Sequence, residues 1–212
     1  MKCPASRPRA FTLVELLVVI AILVILMAVL TPATTSLVRA MNMSRAVSML
    51  ADEMNYARQT ALARNRDVEL RLYKLDSKAP SGSMRYRAFR TLIVEGPNAV
   101  KPLRGIKHLP DGVIISEDTQ YSTLFDYNNP ARAGLSHGSE TIPGHASAVE
   151  FVSFLFRPNG GTSLKPVNPP DGNWFLTGYV ENAPVNSSTG IPDNYFTAQV
   201  DPVTGRVRTY RP

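Results

Sequence analysis

Phe11-Thr12-Leu13-Val14-Glu15 opens an apolar run that continues without interruption from Leu16 to Leu30. Within that run the only charge is Glu15. A carboxylate deep in a membrane span costs about 2.5–3.5 kcal/mol on insertion scales, so one that persists there needs a specific partner. Ahead of the run lie ten residues that hold Lys2, Arg7 and Arg9 and no acid. Residues 11–30, at about 1.5 Å per residue, span about 30 Å, the thickness of a bilayer's hydrocarbon core. The basic leader stays cytoplasmic by the positive-inside rule, which puts the rest of the chain on the other side.

The bulk composition narrows the function classes. The 212-residue chain has room for one domain plus an anchor. Its net charge of +6 includes the three leader cations, and the remaining 20 Lys and Arg face 17 acids. No dense Lys/Arg cluster follows, so nucleic-acid binding through a basic footprint is not expected. The one cysteine, Cys3, is also in the leader, which excludes a disulfide, a thiolate metal site or a cysteine nucleophile from the processed chain. An ordinary secretory signal fits poorly, because Glu15 interrupts the apolar region and the run exceeds the usual ~7–15 residues.

The segment Arg9-Ala10-Phe11-Thr12-Leu13-Val14-Glu15-Leu16-Leu17-Val18-Val19-Ile20-Ala21-Ile22-Leu23 resembles the N-terminus of type IV prepilins and type II secretion pseudopilins. The resemblance implies cleavage by prepilin peptidase between Ala10 and Phe11, and N-methylation of Phe11 by the same enzyme. Where the family usually has Gly before the cut, this chain has Ala10. Glu15 then takes the place of the family's assembly glutamate, and Pro32 that of its helix-bending proline. The physical logic runs the same way. Cleavage creates an amine near the depth of Glu15, and pairing that amine with a neighbour's carboxylate relieves two buried charges only in the correct register.

Beyond the membrane, Leu37, Met41, Val47, Leu50, Met54, Ala57 and Ala61 recur at helical spacing. Arg39, Arg45, Asp52, Glu53 and Arg58 are expected on the other faces. The reading is one helix from about Thr12 to Arg64, bent at Pro32 and broken at Asn65-Arg66-Asp67. Val68–Tyr73 alternates as a half-buried strand. Further strands are expected at Tyr86–Val94, Val113–Ser116, Val149–Phe156, Trp174–Val180, Tyr195–Val200 and Arg206–Tyr210. Asn159-Gly160-Gly161 reads as a tight turn, and Asp201-Pro202-Val203-Thr204-Gly205 as a hairpin connection. Segments 77–83, 121–146, 163–173 and 181–193 read as loops. The predicted fold class is α+β, a long N-terminal helix with a transmembrane first half, packed on an antiparallel, pilin-like β-sheet head. The domain reading is a leader at 1–10, a membrane and filament-spine helix at 11–31, an amphipathic continuation at 32–66 and a β-rich head at 67–212.

Two further resemblances refine this. Ala57–Leu70 is similar to the helix-to-strand junction of H-type minor pseudopilins and related minor pilins. Phe156–Gly160, Trp174–Thr177 and Asp201–Arg206 resemble the prepilin-like proteins called Verru_Chthon cassette protein D.

No enzyme site is apparent. His108, His137 and His145 form no close metal pair, and His137, His145 and Glu140 share a loop expected to be solvated. Ser136-His137 and Ser139-Glu140 lack a nucleophile-elbow motif. Glu181, Asp193 and Asp201 match in type the calcium loop of major pseudopilins, but their spacing defines no loop. Trp174 and Tyr210 are expected in the core. The expectation is a structural subunit, a minor pseudopilin or minor pilin, with no cofactor and no metal. Its partners are prepilin peptidase, other pilin or pseudopilin subunits, an inner-membrane assembly platform and a secreted cargo. It passes from the bacterial inner membrane, with the N-terminus cytoplasmic and the head periplasmic, to a periplasmic or surface filament. The alternatives are a major pilin and a singly anchored envelope protein that binds polysaccharide or DNA.

Overall fold

The computed structural model describes residues 11–76, 83–97, 99–166 and 174–212, with the side chains of 29–36 and 131 outside the description. Two compact units divide the chain, Met1–Arg39 and Ala40–Pro212. The element common to both is α1 (Leu13–Arg64). In the first unit every side chain from 11 to 28 is exposed.

The second unit is a helix laid on a sheet. Met43, Ala46, Leu50, Met54, Ala57 and Ala61 of α1 are fully buried, in steps of three and four that keep them on one side of a 3.6-residue helix. The sequence places this stripe well from Leu50 onward and misplaces its start. Leu37 and Met41 are exposed, and Met43 and Ala46 take the buried positions. Each fully buried Leu or Met contributes about 1.5–3 kcal/mol relative to exposure. The helix ends by backbone geometry: Asn65 is left-handed (φ 51°), and the Arg66 N–H reaches back to the Ala61 carbonyl at 3.3 Å. Such a bond to the residue five back closes a Schellman-type end.

The strands are β1 (Val68–Leu75), β2 (Arg85–Gly96), β3 (Ala99–Pro102), β4 (Lys107–His108), β5 (Val113–Ile115), β6 (Ser136–Glu140), β7 (Val149–Phe156), β8 (Trp174–Val180), β9 (Tyr195–Val200) and β10 (Val207–Tyr210). Their order is β10-β9-β8-β5-β2-β1-β7-β6, with β3 and β4 also paired to β2, and each pairing is antiparallel. The fold class is therefore α+β, as the sequence predicts. Val68, Leu70 and Leu72 of β1, Phe154 and Phe156 of β7, and Phe196 and Ala198 of β9 join the helix stripe in one core.

Three strands escape the sequence reading. β3 is exposed throughout, β4 is two residues long, and β6 (Ser-His-Gly-Ser-Glu) falls inside a segment expected to be a loop. They carry no apolar alternation and form because the edges of β2 and β7 offer backbone partners. β1 is buried on both faces rather than one. Tyr73 and Leu75 pack with Ala88, Ile142 and Val149 in a second cluster, while Arg71 pairs with both Glu69 and Glu140.

The two predicted turns form as expected. Gly160 (φ 87°) donates to the Arg157 carbonyl at 2.9 Å. Asp201 and Arg206 close the last hairpin through an N–H to carbonyl bond of 2.9 Å, with Gly205 left-handed at φ 62°. Arg58 of α1 donates to Thr204 O at 2.8 Å and Gly160 O at 3.4 Å, so one side chain ties the helix to both turns.

Candidate functional site

The N-terminal segment is the first candidate. Phe11 stands ahead of α1 with 84 % of its surface exposed, and Glu15 lies in the first helical turn. Glu15 Oε2 accepts the Thr12 N–H and the Thr12 hydroxyl, each at 2.9 Å, while the Glu15 N–H reaches Thr12 Oγ1 at 3.2 Å. This reciprocal Thr-x-x-Glu arrangement is a capping box, which satisfies backbone donors that a helix start otherwise leaves open. The sequence reading weighs Glu15 for its charge and overlooks this local motif, although Thr12 and Glu15 have the spacing that signals it. From Leu13 (79 % exposed) to Met27 (67 % exposed) the helix is apolar on all sides apart from Glu15. A helix of this kind belongs inside a membrane or an assembly. Among the described residues no helix is long and apolar enough to cross a membrane, and the described side chains of this stretch end at residue 28. Ala10 lies outside the described residues. Pro32 falls within α1, with its side chain outside the description.

The head answers the remaining candidates. His137 stacks on Tyr127 with ring centroids 4.4 Å apart, and Glu140 accepts from Arg71 and Tyr73, so these two residues are engaged separately. Burial disfavours the charge on Arg71, but Glu69 and Glu140 outweigh it and raise the guanidinium pKa. Burial and the bond to Glu140 push the Tyr73 phenol up as well. Among the described residues no group of three or more His, Cys, Asp or Glu side chains is placed to hold a metal. Glu181 pairs with Arg87 at 2.7 Å, Asp193 accepts from Asn186 at 2.6 Å, and Asp201 caps its own turn through Val203 N at 2.9 Å. Trp174 is fully buried and donates to Lys165 O at 2.9 Å. Tyr210 is 51 % exposed on edge strand β10 and is not a core residue.

A further difference from the sequence expectation lies on α1. Glu53, expected on a polar face, has no exposed surface. Its Oε1 accepts the Thr91 hydroxyl at 2.6 Å, and Lys107 Nζ lies 2.7 Å from Oε2, with Arg104 at 3.6 Å. Among the described residues Oε2 has no partner of hydrogen-bond geometry, so its contact with Lys107 is an ion pair only. Arg104 also stacks on Tyr56 of α1, 3.4 Å from the ring centroid. These contacts clamp the helix to β2, β4 and the turn before β4.

Comparison with known proteins is sparse. The description "Prokaryotic N-terminal methylation motif" matches residues 5–31. No curated protein matches the chain. Among solved structures, the type IV minor pilin FimU of Pseudomonas aeruginosa is similar at 13 % identity and a TM-score of 0.40, covering 80 % of this chain and 96 % of that one. The minor pseudopilin EpsH from the Type 2 Secretion System of Vibrio cholerae is similar at 9 % identity and a TM-score of 0.40, covering 81 % and 98 %. The matched motif coincides with the exposed apolar helix start and its capped glutamate.

Proposed function

We propose that the chain is a structural subunit, a minor pseudopilin or minor pilin, that joins a type II secretion pseudopilus or type IV pilus-like filament through residues 11–31. Prepilin peptidase cuts between Ala10 and Phe11 and methylates Phe11. Before assembly the apolar stretch anchors the subunit in the inner membrane, with the head on the periplasmic side. The observation that carries this reading is the all-round exposure of an apolar helix start whose one charge is Glu15. Exposed apolar area on that scale is stable only when lipid or neighbouring subunits cover it. The likeness of Ala57–Leu70 to an H-type junction supports a minor rather than a major subunit. An inner-membrane assembly platform and neighbouring subunits are the partners this role needs, and the head is the part available to a secreted cargo.

Glu15 has two tasks in this reading, capping its own helix and pairing with the Phe11 amine of a neighbour. Glu15→Gln keeps an oxygen for the Thr12 donors and removes the charge. It is expected to be processed like the parent and to be absent from purified filaments, as is Glu15→Ala. Immunoblots of sheared filaments and membranes measure both. Incorporation of Glu15→Gln at the parental level would refute the pairing role.

A further inference from the structure

Away from the N-terminal segment, the head holds a cleft of about 420 Å³. Its wall is assembled from the end of β1, from Arg87 on β2, from the His108–Val113 segment, from the loop carrying His145 and from Glu181 and Asn182 after β8. The volume falls in the range of small-molecule sites, roughly 300–1,000 Å³. Arg87 Nε is buried and has no hydrogen-bond partner among the described residues. The Arg87 Nη2 donor and the Ser83 hydroxyl both bond Glu181 Oε1, at 2.7 and 2.8 Å. Arg87 and a Glu181 carboxylate held from two sides thus lie together in the wall, with Asp76 and Asp111 also lining the cleft. Leu109 and Val113, both buried, add an apolar surface.

Charge narrows the ligand. A free anion meets three carboxylates, Glu181 already matches the Arg87 guanidinium, and no metal set exists among the described residues. A hydroxyl suits both neighbours, because it accepts from an N–H while donating to a carboxylate. Adjacent hydroxyls on a ring whose C–H face is apolar match the whole lining. We propose that this cleft binds a neutral saccharide unit, with Arg87 and Glu181 holding adjacent hydroxyls and Leu109 and Val113 covering the ring's apolar face. The site is independent of filament assembly, so Glu15→Ala binds as the parent does.

The test is saturation-transfer NMR on the full chain in a phosphocholine detergent, which carries no sugar head group, with maltose, cellobiose and chitobiose as probes and putrescine as the cationic control. Transfer to the ring C–H protons of at least one sugar is expected. Glu181→Gln should weaken that binding about tenfold, the size of one lost charged hydrogen bond. His145→Ala, in a loop at the cleft, should weaken it with an unchanged melting temperature, and it decides the matter if Glu181→Gln does not fold. Absence of transfer to all three sugars, equal binding by the folded variants, or transfer to putrescine alone would overturn the proposal.

Discussion

Glu53 shows how much one side chain can decide. Read along the helix it is one charge among several on a polar face, because Thr91, Lys107 and Arg104 approach from strands that local pattern does not reveal. Removing one partner of a buried pair costs more than replacing the charge by an apolar group, since the orphaned ion stays out of water. Lys107→Met should therefore destabilise the chain by about 2–4 kcal/mol, and Glu53→Leu by clearly less. Urea unfolding of both variants tests the order, and the reverse order would contradict the clamp. Asp201 and Glu181 set the acid limit. Burial works against both charges, but Thr204 and Val203 at Asp201, and Arg87 and Ser83 at Glu181, hold both pKa values below their ordinary 3.8 and 4.5. A depressed carboxylate pKa gives stability that is present above the ordinary value and lost as pH falls through the folded one. Unfolding midpoints should thus drop below about pH 4. Asp201→Asn, which keeps the turn's acceptor, should make that drop shallower.

At the scale of elements, what was legible followed local chemistry. The stop at Asn65, the turns at Gly160 and Gly205 and the long apolar strands were all readable, because each depends on a few adjacent residues. β6 was not readable, since its five residues carry no apolar pattern and pair with β7 through the backbone. The capping box at Thr12 and Glu15 is also local, since its two side chains stand three residues apart. Close packing between elements yields a further prediction. A Cβ on Gly178 of β8 would lie 2.4 Å from the Phe196 ring of β9 and 3.1 Å from the Ile114 carbonyl of β5. Gly178→Ala should cost about 1–3 kcal/mol by overpacking, measured as a lowered melting temperature. An unchanged melting temperature would mean that β5, β8 and β9 pack more loosely than described.

For the whole molecule, the division of labour in the sequence is plain and its detail is not. The N-terminal motif could be read from fifteen residues because the motif is a contiguous stretch of chain. The cleft could not, because its wall is gathered from five separate segments of the head. In the proposed function the motif brings the subunit to a filament, and the head is free for recognition. Everything in the assembly reading depends on Phe11 becoming the first residue. Intact-mass and N-terminal peptide mass spectrometry of the chain, purified from membranes of a cell that holds its own prepilin peptidase, tests this directly. The predicted result is a mature chain beginning with N-methylated Phe11. An intact Met1, or cleavage after Ala28 or Ala33, would contradict it.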